Sequence, residues 1–290
     1  MKNNLLILLS ILIFLNACKI ADISQPGNLH AENSEQIANE KLDEVLEAQG
    51  FEVFKEKNLY QARVTDDWKG FVGKIAKLWP DANTQFQFRF NFNTFDGNAD
   101  VLSGEKKGDL MGVQGWQYYE KSNGSEDAFE AEAKTREFGI VVLHYLIELP
   151  YRLRNAPFKR YYGKQELRGK PYDLVFVSWG SEAASADYDQ YIVWINQESH
   201  LVDYIVYTLR DNTNPLTRHK YGSMAYLDYR EIEGFKVATR MPVLIDDGII
   251  TTDDLTDYFH QFTIEDFEFG GFEEAELYPL PALEKKLDSK

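Results

Sequence analysis

The stretch YDQYIVWINQESHLVDYIVYTL, Tyr188–Leu209, decides the fold. It reads as two strands, Tyr188–Ile195 and Leu201–Leu209, joined by the polar turn Asn196-Gln197-Glu198-Ser199-His200. Val, Ile, Tyr and Trp dominate both arms, the residue types that suit a pleated, packed surface. Side chains alternate along a strand, so Tyr191, Val193 and Ile195 share one face while Ile192 and Trp194 share the other. Both faces are apolar. The spacing therefore predicts a central pair, covered on both sides, in a large antiparallel sheet.

Strands are expected on either side of this pair near Tyr161–Arg168, Tyr172–Trp179, Tyr221–Ile232, Phe235–Ile245, Ile249–Thr252 and Tyr258–Phe269. Gly169-Lys170, Glu233-Gly234 and Asp247-Gly248 mark turns between them. Upstream, Phe86, Phe88, Phe90 and Phe92 alternate with Gln85, Gln87, Arg89 and Asn91, a strand with one aromatic and one wet face. Asp96-Gly97 turns it into a return strand, Asn98–Ser103, and Gln114-Gly115 turns a second hairpin, Asp109–Val113 with Trp116–Tyr119. Short strands are also expected at Phe51–Phe54 and Tyr60–Val64.

Helical spacing appears three times. Ser34 can cap a helix to Gln49 whose stripe is Ile37, Ala38, Leu42, Val45 and Leu46, with Gly50 as its stop. Trp68, Phe71, Val72, Ile75 and Trp79 predict a helix within Thr65–Trp79, weakened by Gly70 and Gly73 and ended by Pro80. The strongest helix is expected from a cap at Ser125 to Pro150. Its stripe is Phe138, Val141, Val142, Tyr145, Leu146 and Leu149, widened by Ile140, Leu143 and Ile147. Its apolar part, Phe138–Leu149, is only a dozen residues and carries His144 and Glu148, so it is no membrane span.

The 290 residues carry 44% hydrophobic and 14% aromatic side chains, enough for a sizeable core. Lys and Arg total 31 against 47 Asp and Glu, a net charge of −16 that disfavours nucleic acid as a partner. The beginning of the chain is different in kind. Lys2 precedes the apolar run Leu5–Leu15, broken by Ser10, too short to span a bilayer and of the length of a signal-peptide core. It stops at Leu15-Asn16-Ala17-Cys18, which resembles the lipobox of bacterial lipoproteins, with Asn16 where a smaller residue is usual. Cys18 is the only cysteine, so it has no disulfide partner. The reading is a signal peptide over 1–17, a lipidated Cys18 with a flexible tether to residue 33, one folded domain over 34–278, and a tail over 279–290.

Chemistry is sparse. G-x-S-x-G, H-E-x-x-H, the P-loop and G-x-G-x-x-G are all absent. Asp96, Asn98 and Asp100 alternate as calcium ligands do, yet Lys107 occupies the twelfth loop position. Asp246-Asp247 and Asp253-Asp254 with Asp257 read as a solvated acidic loop more readily than as a cation site. His200 with Asp203 and His260 with Asp257 are candidate acid–base pairs without a third partner at a recognisable spacing. No cofactor, metal or catalytic role is expected.

Several segments resemble the LolA/LolB-like lipoprotein-carrier superfamily. They are Gly115-Trp116-Gln117-Tyr118-Tyr119, the pair Tyr191–Asn196 with Leu201–Ile205, Tyr226–Phe235 up to Pro242, and Phe262–Phe269. Tyr145-Leu-Ile-Glu-Leu-Pro-Tyr-Arg-Leu is similar to a segment of uncharacterised bacterial lipoproteins with that fold. The resemblance implies an α+β fold, a large curved antiparallel sheet (an incomplete β-barrel) covered on its concave face by helices. It also implies a cavity able to hold acyl chains; the residue patterns, and not the resemblance, offer Phe86, Phe88, Phe90, Phe92, Val141 and Tyr145 as candidate lining residues. The phenylalanine stripe on its own fits either a cavity wall or ordinary core. The functional expectation is a non-catalytic, lipid-anchored envelope protein, on the outer membrane and facing periplasm or cell surface, that binds a hydrophobic ligand. The alternatives are an anchored protein-interaction module and a hydrolase without a known motif.

Overall fold

The computed structural model describes residues 20–24, 32–210 and 219–280. The leader, Cys18 and residues 281–290 of the tail lie outside the described residues. The elements are α1 (Ser34–Gln49), a 3₁₀ turn (Phe51–Lys55), β1 (Leu59–Trp68), α2 (Gly70–Ala76), β2 (Asn83–Asn91), β3 (Gly97–Val101), β4 (Leu110–Gln114), β5 (Gln117–Lys121), β6 (Phe129–Glu130), α3 (Lys134–Ile147), α4 (Leu149–Arg154), β7 (Phe158–Leu167), β8 (Lys170–Ser178), β9 (Gln190–Asn196), β10 (Val202–Thr208), β11 (Tyr221–Ala225), β12 (Leu227–Ile232), β13 (Phe235–Ile245), α5 (Gly248–Thr251), β14 (His260–Phe269) and a second 3₁₀ turn (Glu274–Leu277).

All strands join one antiparallel sheet in the order β6-β5-β4-β3-β2-β1-β14-β13-β11-β10-β9-β8-β7, with β12 continuing β11 along β13. Its two ends, β6 and β7, do not pair, so the barrel stays open. Helix α1 packs on β7 and β8 while α3 packs on β3 and β4. Side chains of these distant strands and of α1, α3 and α4 belong to one core, as a sheet curved around its helices requires. The expected α+β incomplete barrel is what the chain forms.

The two halves of the sheet differ as their sequences do. In the β9–β10 pair, Tyr191, Val193 and Ile195 enter the large core beneath the helices. Ile192 and Trp194 enter a second core on the opposite face with Tyr172, Leu174 and Phe176 of β8. That outer core is closed by Ile249 of α5 and by Ile23. In β2, Phe86, Phe88 and Phe90 are fully buried inward. Outward, Gln87 donates to Gln61 (3.1 Å) and Arg89 pairs with Asp100 (2.7 Å), a polar ladder facing water.

Several expectations are corrected. Phe51–Phe54 is 3₁₀ and not strand, because Gly50 (φ +87°) reverses the chain and lays Phe51 and Phe54 against Phe235 (5.2 and 5.1 Å between ring centroids). Thr65–Trp68 extends β1, held by pairing on both sides, which leaves only Gly70–Ala76 helical. Ser34 is the first helical residue, not the cap, and its hydroxyl donates to the Tyr161 carbonyl (3.1 Å). The helix expected from Ser125 begins at Lys134, because Phe129–Glu130 pairs with Tyr119–Glu120 as an edge strand. Ile249–Thr252 is mostly one helical turn, α5, which tucks Ile249 over the outer core where a strand would expose it. Ile20–Ser24, within the expected tether, is docked through the buried Ile23. At the other end the Leu280 backbone is bonded to the Gln114 side chain (3.1 and 3.3 Å).

The two-faced assignment predicts opposite outcomes for two added carboxylates. Val193→Asp places an unpaired charge beneath the helices and should prevent folding, since its cost of several kcal/mol is comparable with a net stability of about 5–15 kcal/mol. Gln87→Asp, on the watered face, should change stability by less than about 1 kcal/mol. Thermal melts of the two variants check this, and equal midpoints would contradict it.

Candidate functional site

Helix α3 lies across the concave face with Ile140, Leu143, His144 and Ile147 pressed on the sheet. Gly139 permits this approach, because a Cβ there would stand 2.5 Å from the Trp79 ring. Pro150 sits in the first turn of α4, where its missing N–H costs no helical bond, so α3 breaks at Glu148 and α4 starts afresh.

A polar cluster is sealed at that break. The Glu148 side chain is fully buried and accepts from Tyr60 Oη (3.0 Å), from His144 Nε2 (2.7 Å) and from the Asn93 backbone N–H (3.1 Å). Arg152 completes it by an ion pair to Glu148 Oε2 (2.9 Å), donates to the Thr94 carbonyl, and stacks over Phe95 (4.1 Å). The His144 ring lies on Phe90 at 4.4 Å. Burial, opposed by Glu148, lowers the His144 pKa below its ordinary value. A neutral ring then donates from Nε2 to Glu148, and Nδ1 has no partner. Burial together with the Glu148 charge raises the Tyr60 hydroxyl well above its ordinary value, so it remains a donor.

The other flank of α3 meets less protein. Phe138, Val141, Val142 and Tyr145 are half-buried, and they face Tyr191 of β9 and Tyr207 of β10 across a cleft of about 560 Å³. Leu146, Leu209 and Phe95 continue the apolar wall, with Trp116 and Trp179 at the rim. Its polar groups are few: Lys134, Glu137, Arg152 and Asp189, and the hydroxyls of the three tyrosines. Trp179 Nε1 donates to Tyr145 Oη (2.9 Å), and burial pushes the Tyr145 hydroxyl up to about 12, so it is neutral. Asp189 is held in place by Thr208 Oγ1 (3.0 Å) and the Arg210 N–H (2.8 Å). Such an arrangement can hold a long apolar molecule and orient a polar end. It offers no nucleophile beside a base.

Of the residues expected to line a cavity, Val141 and Tyr145 stand in the cleft wall. Phe86, Phe88 and Phe90 instead form solid core under α3, stacked in series at 5.1 and 5.6 Å. Phe92 stacks on Phe54 at 4.1 Å in the wall of a second opening, about 610 Å³, beside α1, where Asp43, Glu47, Glu52 and Lys55 put charge around an apolar floor. The candidate acid–base pairs are re-partnered. His200 faces Glu44 (3.1 Å), and His260 meets Asp66 (2.8 Å) beneath the Trp68 ring, far from solvent. Asp253 pairs with Arg168 (3.0 Å), and among the described residues no group of three His, Cys, Asp or Glu could hold a metal ion. Among the same residues no helix is long and apolar enough to cross a membrane. Sequence reasoning missed the His144–Glu148–Arg152 cluster, although its i, i+4, i+8 spacing on an otherwise apolar helix face was a readable signal. Tyr191, Tyr207 and Trp179 carried no mark distinguishing them from core.

No protein-family model matches the chain, and no curated protein matches it. Solved structures do. A LolA superfamily protein from Nitrosomonas europaea superposes with a TM-score of 0.53 at 9% identity, over 83% of this chain and 96% of that one. A DUF1329 family protein from Desulfovibrio piger superposes with a TM-score of 0.52 at 9% identity, over 83% of this chain and 96% of that one. The chain has a LolA-like fold.

The sealed cluster predicts two effects. Glu148→Ala leaves Arg152, Tyr60 and the Asn93 N–H without their acceptor and should cost about 3–5 kcal/mol in urea denaturation. The lowered His144 pKa means the unfolded chain takes up this proton at a higher pH than the folded chain. Its contribution is therefore complete above the ordinary value of 6.5 and is lost as pH falls below it. His144→Gln should make the acid-side decline of stability shallower than in wild type; an unchanged slope would contradict the assignment.

Proposed function

We propose that this chain is a lipid-anchored protein of the bacterial cell envelope, on the outer membrane, that binds or carries an acyl-chain ligand in the cleft between α3 and strands β8–β10, without catalysis. The observation that carries the reading is the cleft itself. At about 560 Å³ it falls in the roughly 300–1,000 Å³ range of small-molecule sites and has the same character, an apolar wall with a few polar groups. An apolar face of α3 that the sheet leaves half-covered is satisfied by an apolar guest. Each methylene buried contributes about 0.8 kcal/mol before the cost of association, so a chain of moderate length suffices. The solid packing of Phe86, Phe88 and Phe90 speaks against a ligand over β2, and the opening beside α1 is ringed by Asp43, Glu47, Glu52 and Lys55, which suit an acyl chain less well. The absence of catalysis is supported by where the paired histidines lie: His144 and His260 are buried in structural clusters, and His200 pairs with Glu44 away from the cleft lining.

Anchoring is supported by the leader, the lipobox-like Leu15–Cys18 and the lone thiol. Release of Cys18→Ala from membranes into the soluble fraction is the expected outcome, with loss of palmitate label; a variant that still pelleted would contradict the anchor. A second reading, an anchored protein-interaction module, is favoured by α2, where Phe71 is 79% exposed and Ile75 63%.

A displacement titration with a fluorescent fatty acid separates the two. Wild type should bind the probe, Val142→Glu should weaken it at least about tenfold by placing a carboxylate in the apolar wall, and Phe71→Ser should leave it unchanged. No probe binding by wild type would leave the interaction module in its place.

A further inference from the structure

We propose that the mouth of the cleft sits on the bilayer that holds the chain's own anchor, with Trp116 and Trp179 at the lipid interface. The inference rests on the reading of Cys18 as the lipid-attachment site and extends it from tethering to orientation.

The first observation is where the chain preceding the domain is held. Ile23 is buried in the outer core, and its N–H donates to Gln190 Oε1 (3.1 Å). Gln190 Nε2 donates to Asp22 Oδ1 (3.1 Å), and the Arg210 guanidinium donates to the Ala21 carbonyl. Gln190 and Arg210 are themselves buried, so this clasp is built into the sheet. They are also the chain neighbours of Asp189 and Leu209, which line the cleft. Successive side chains point to opposite faces, so the clasp and the cleft occupy the same end of β9 and β10 on its two sides. From Ala21 back to Cys18 is three residues, at most about 10 Å of extended chain. A lipid on Cys18 therefore brings its bilayer to this end of the sheet and not to the far end at Glu198.

The second observation is the rim. Trp179, 39% exposed, follows β8 at this same end, and Trp116, 64% exposed, closes the opposite side. Large amphipathic rings are enriched where protein meets the headgroup region. Trp116 is held at φ +65° in the two-residue turn Gly115-Trp116, where Gly or Asn would be unstrained, so the turn itself does not call for an indole. With a net charge of −16 the attraction to lipid is apolar and not electrostatic, and it should persist on neutral membranes and in high salt. A ligand could then pass between bilayer and cleft without crossing water.

The test uses the tryptophans already present. Trp68, Trp79 and Trp194 are buried, which leaves Trp116 and Trp179 as the reporters. The full chain is recovered from membranes and placed in vesicles of neutral phosphatidylcholine with or without bromine on the acyl chains. Brominated lipid should remove up to about two fifths of the tryptophan emission, the share of two indoles in five, at low and high salt alike. The double variant Trp116→Phe, Trp179→Phe should abolish that quenching. Full emission from protein that stays on the vesicles would overturn the orientation, as would quenching that survives the double substitution. If Cys18 carries no lipid, its free thiol is coupled to a maleimide-headgroup lipid and the same readout applies; that result would count against native anchoring while the quenching still decides the orientation.

Discussion

A carboxylate without solvent, Glu148, governs how the helices lie on the sheet. Burying it costs several kcal/mol unless every lone pair is met, and here four groups converge on it. They come from different parts of the chain: Tyr60 of β1, the backbone of the loop after β2, His144 of α3 and Arg152 of α4. Satisfying all four fixes the rotation of α3 about its axis. That rotation presses Ile140, Leu143 and Ile147 onto the sheet and turns Phe138, Val141 and Val142 to the cleft. The cleft is thus a consequence of the cluster. An all-apolar helix could roll until both flanks were covered; this one is held with a flank short of cover.

The sheet has a matching asymmetry. Its β1–β3 region carries an aromatic layer on one face and a polar ladder on the other, and is closed on the aromatic side by α3, Trp79 and Phe54 of the first 3₁₀ turn. The β8–β10 region is apolar on both faces and needs a second cover, supplied by α5 and by the docked Ile23. The helices fill the concavity over β2 with packed rings and leave an apolar opening where α3 passes β9 and β10, with a second, charge-rimmed one beside α1.

Much of this was legible from residue patterns. The period-two alternation in Tyr191–Ile195 and in Phe86–Phe90 gave the faces correctly, because burial on a strand follows from side-chain direction alone. Patterns failed where tertiary pairing outweighed local spacing. Trp68 and Phe71 share a helical period, yet Trp68 is drawn into β1 by its partners and Phe71 is left exposed. Ser125 looked like a cap, yet the sheet edge claimed Phe129 first. The cleft was half legible. The stripe of α3 named Val141 and Tyr145, but periodicity shows which side chains share a face and not whether another element covers them. For the same reason Phe86, Phe88 and Phe90 could be placed inward without knowing that rings and α3 would fill the space above them.

The most direct test is native mass spectrometry of the Cys18→Ala protein, purified from the soluble fraction without added detergent, followed by identification of whatever is released on unfolding. A cleft that exists to hold an acyl chain predicts a stoichiometric lipid adduct that disappears when the chain is denatured. A population that is entirely unliganded, and that takes up no lipid when mixed with vesicles, would contradict it.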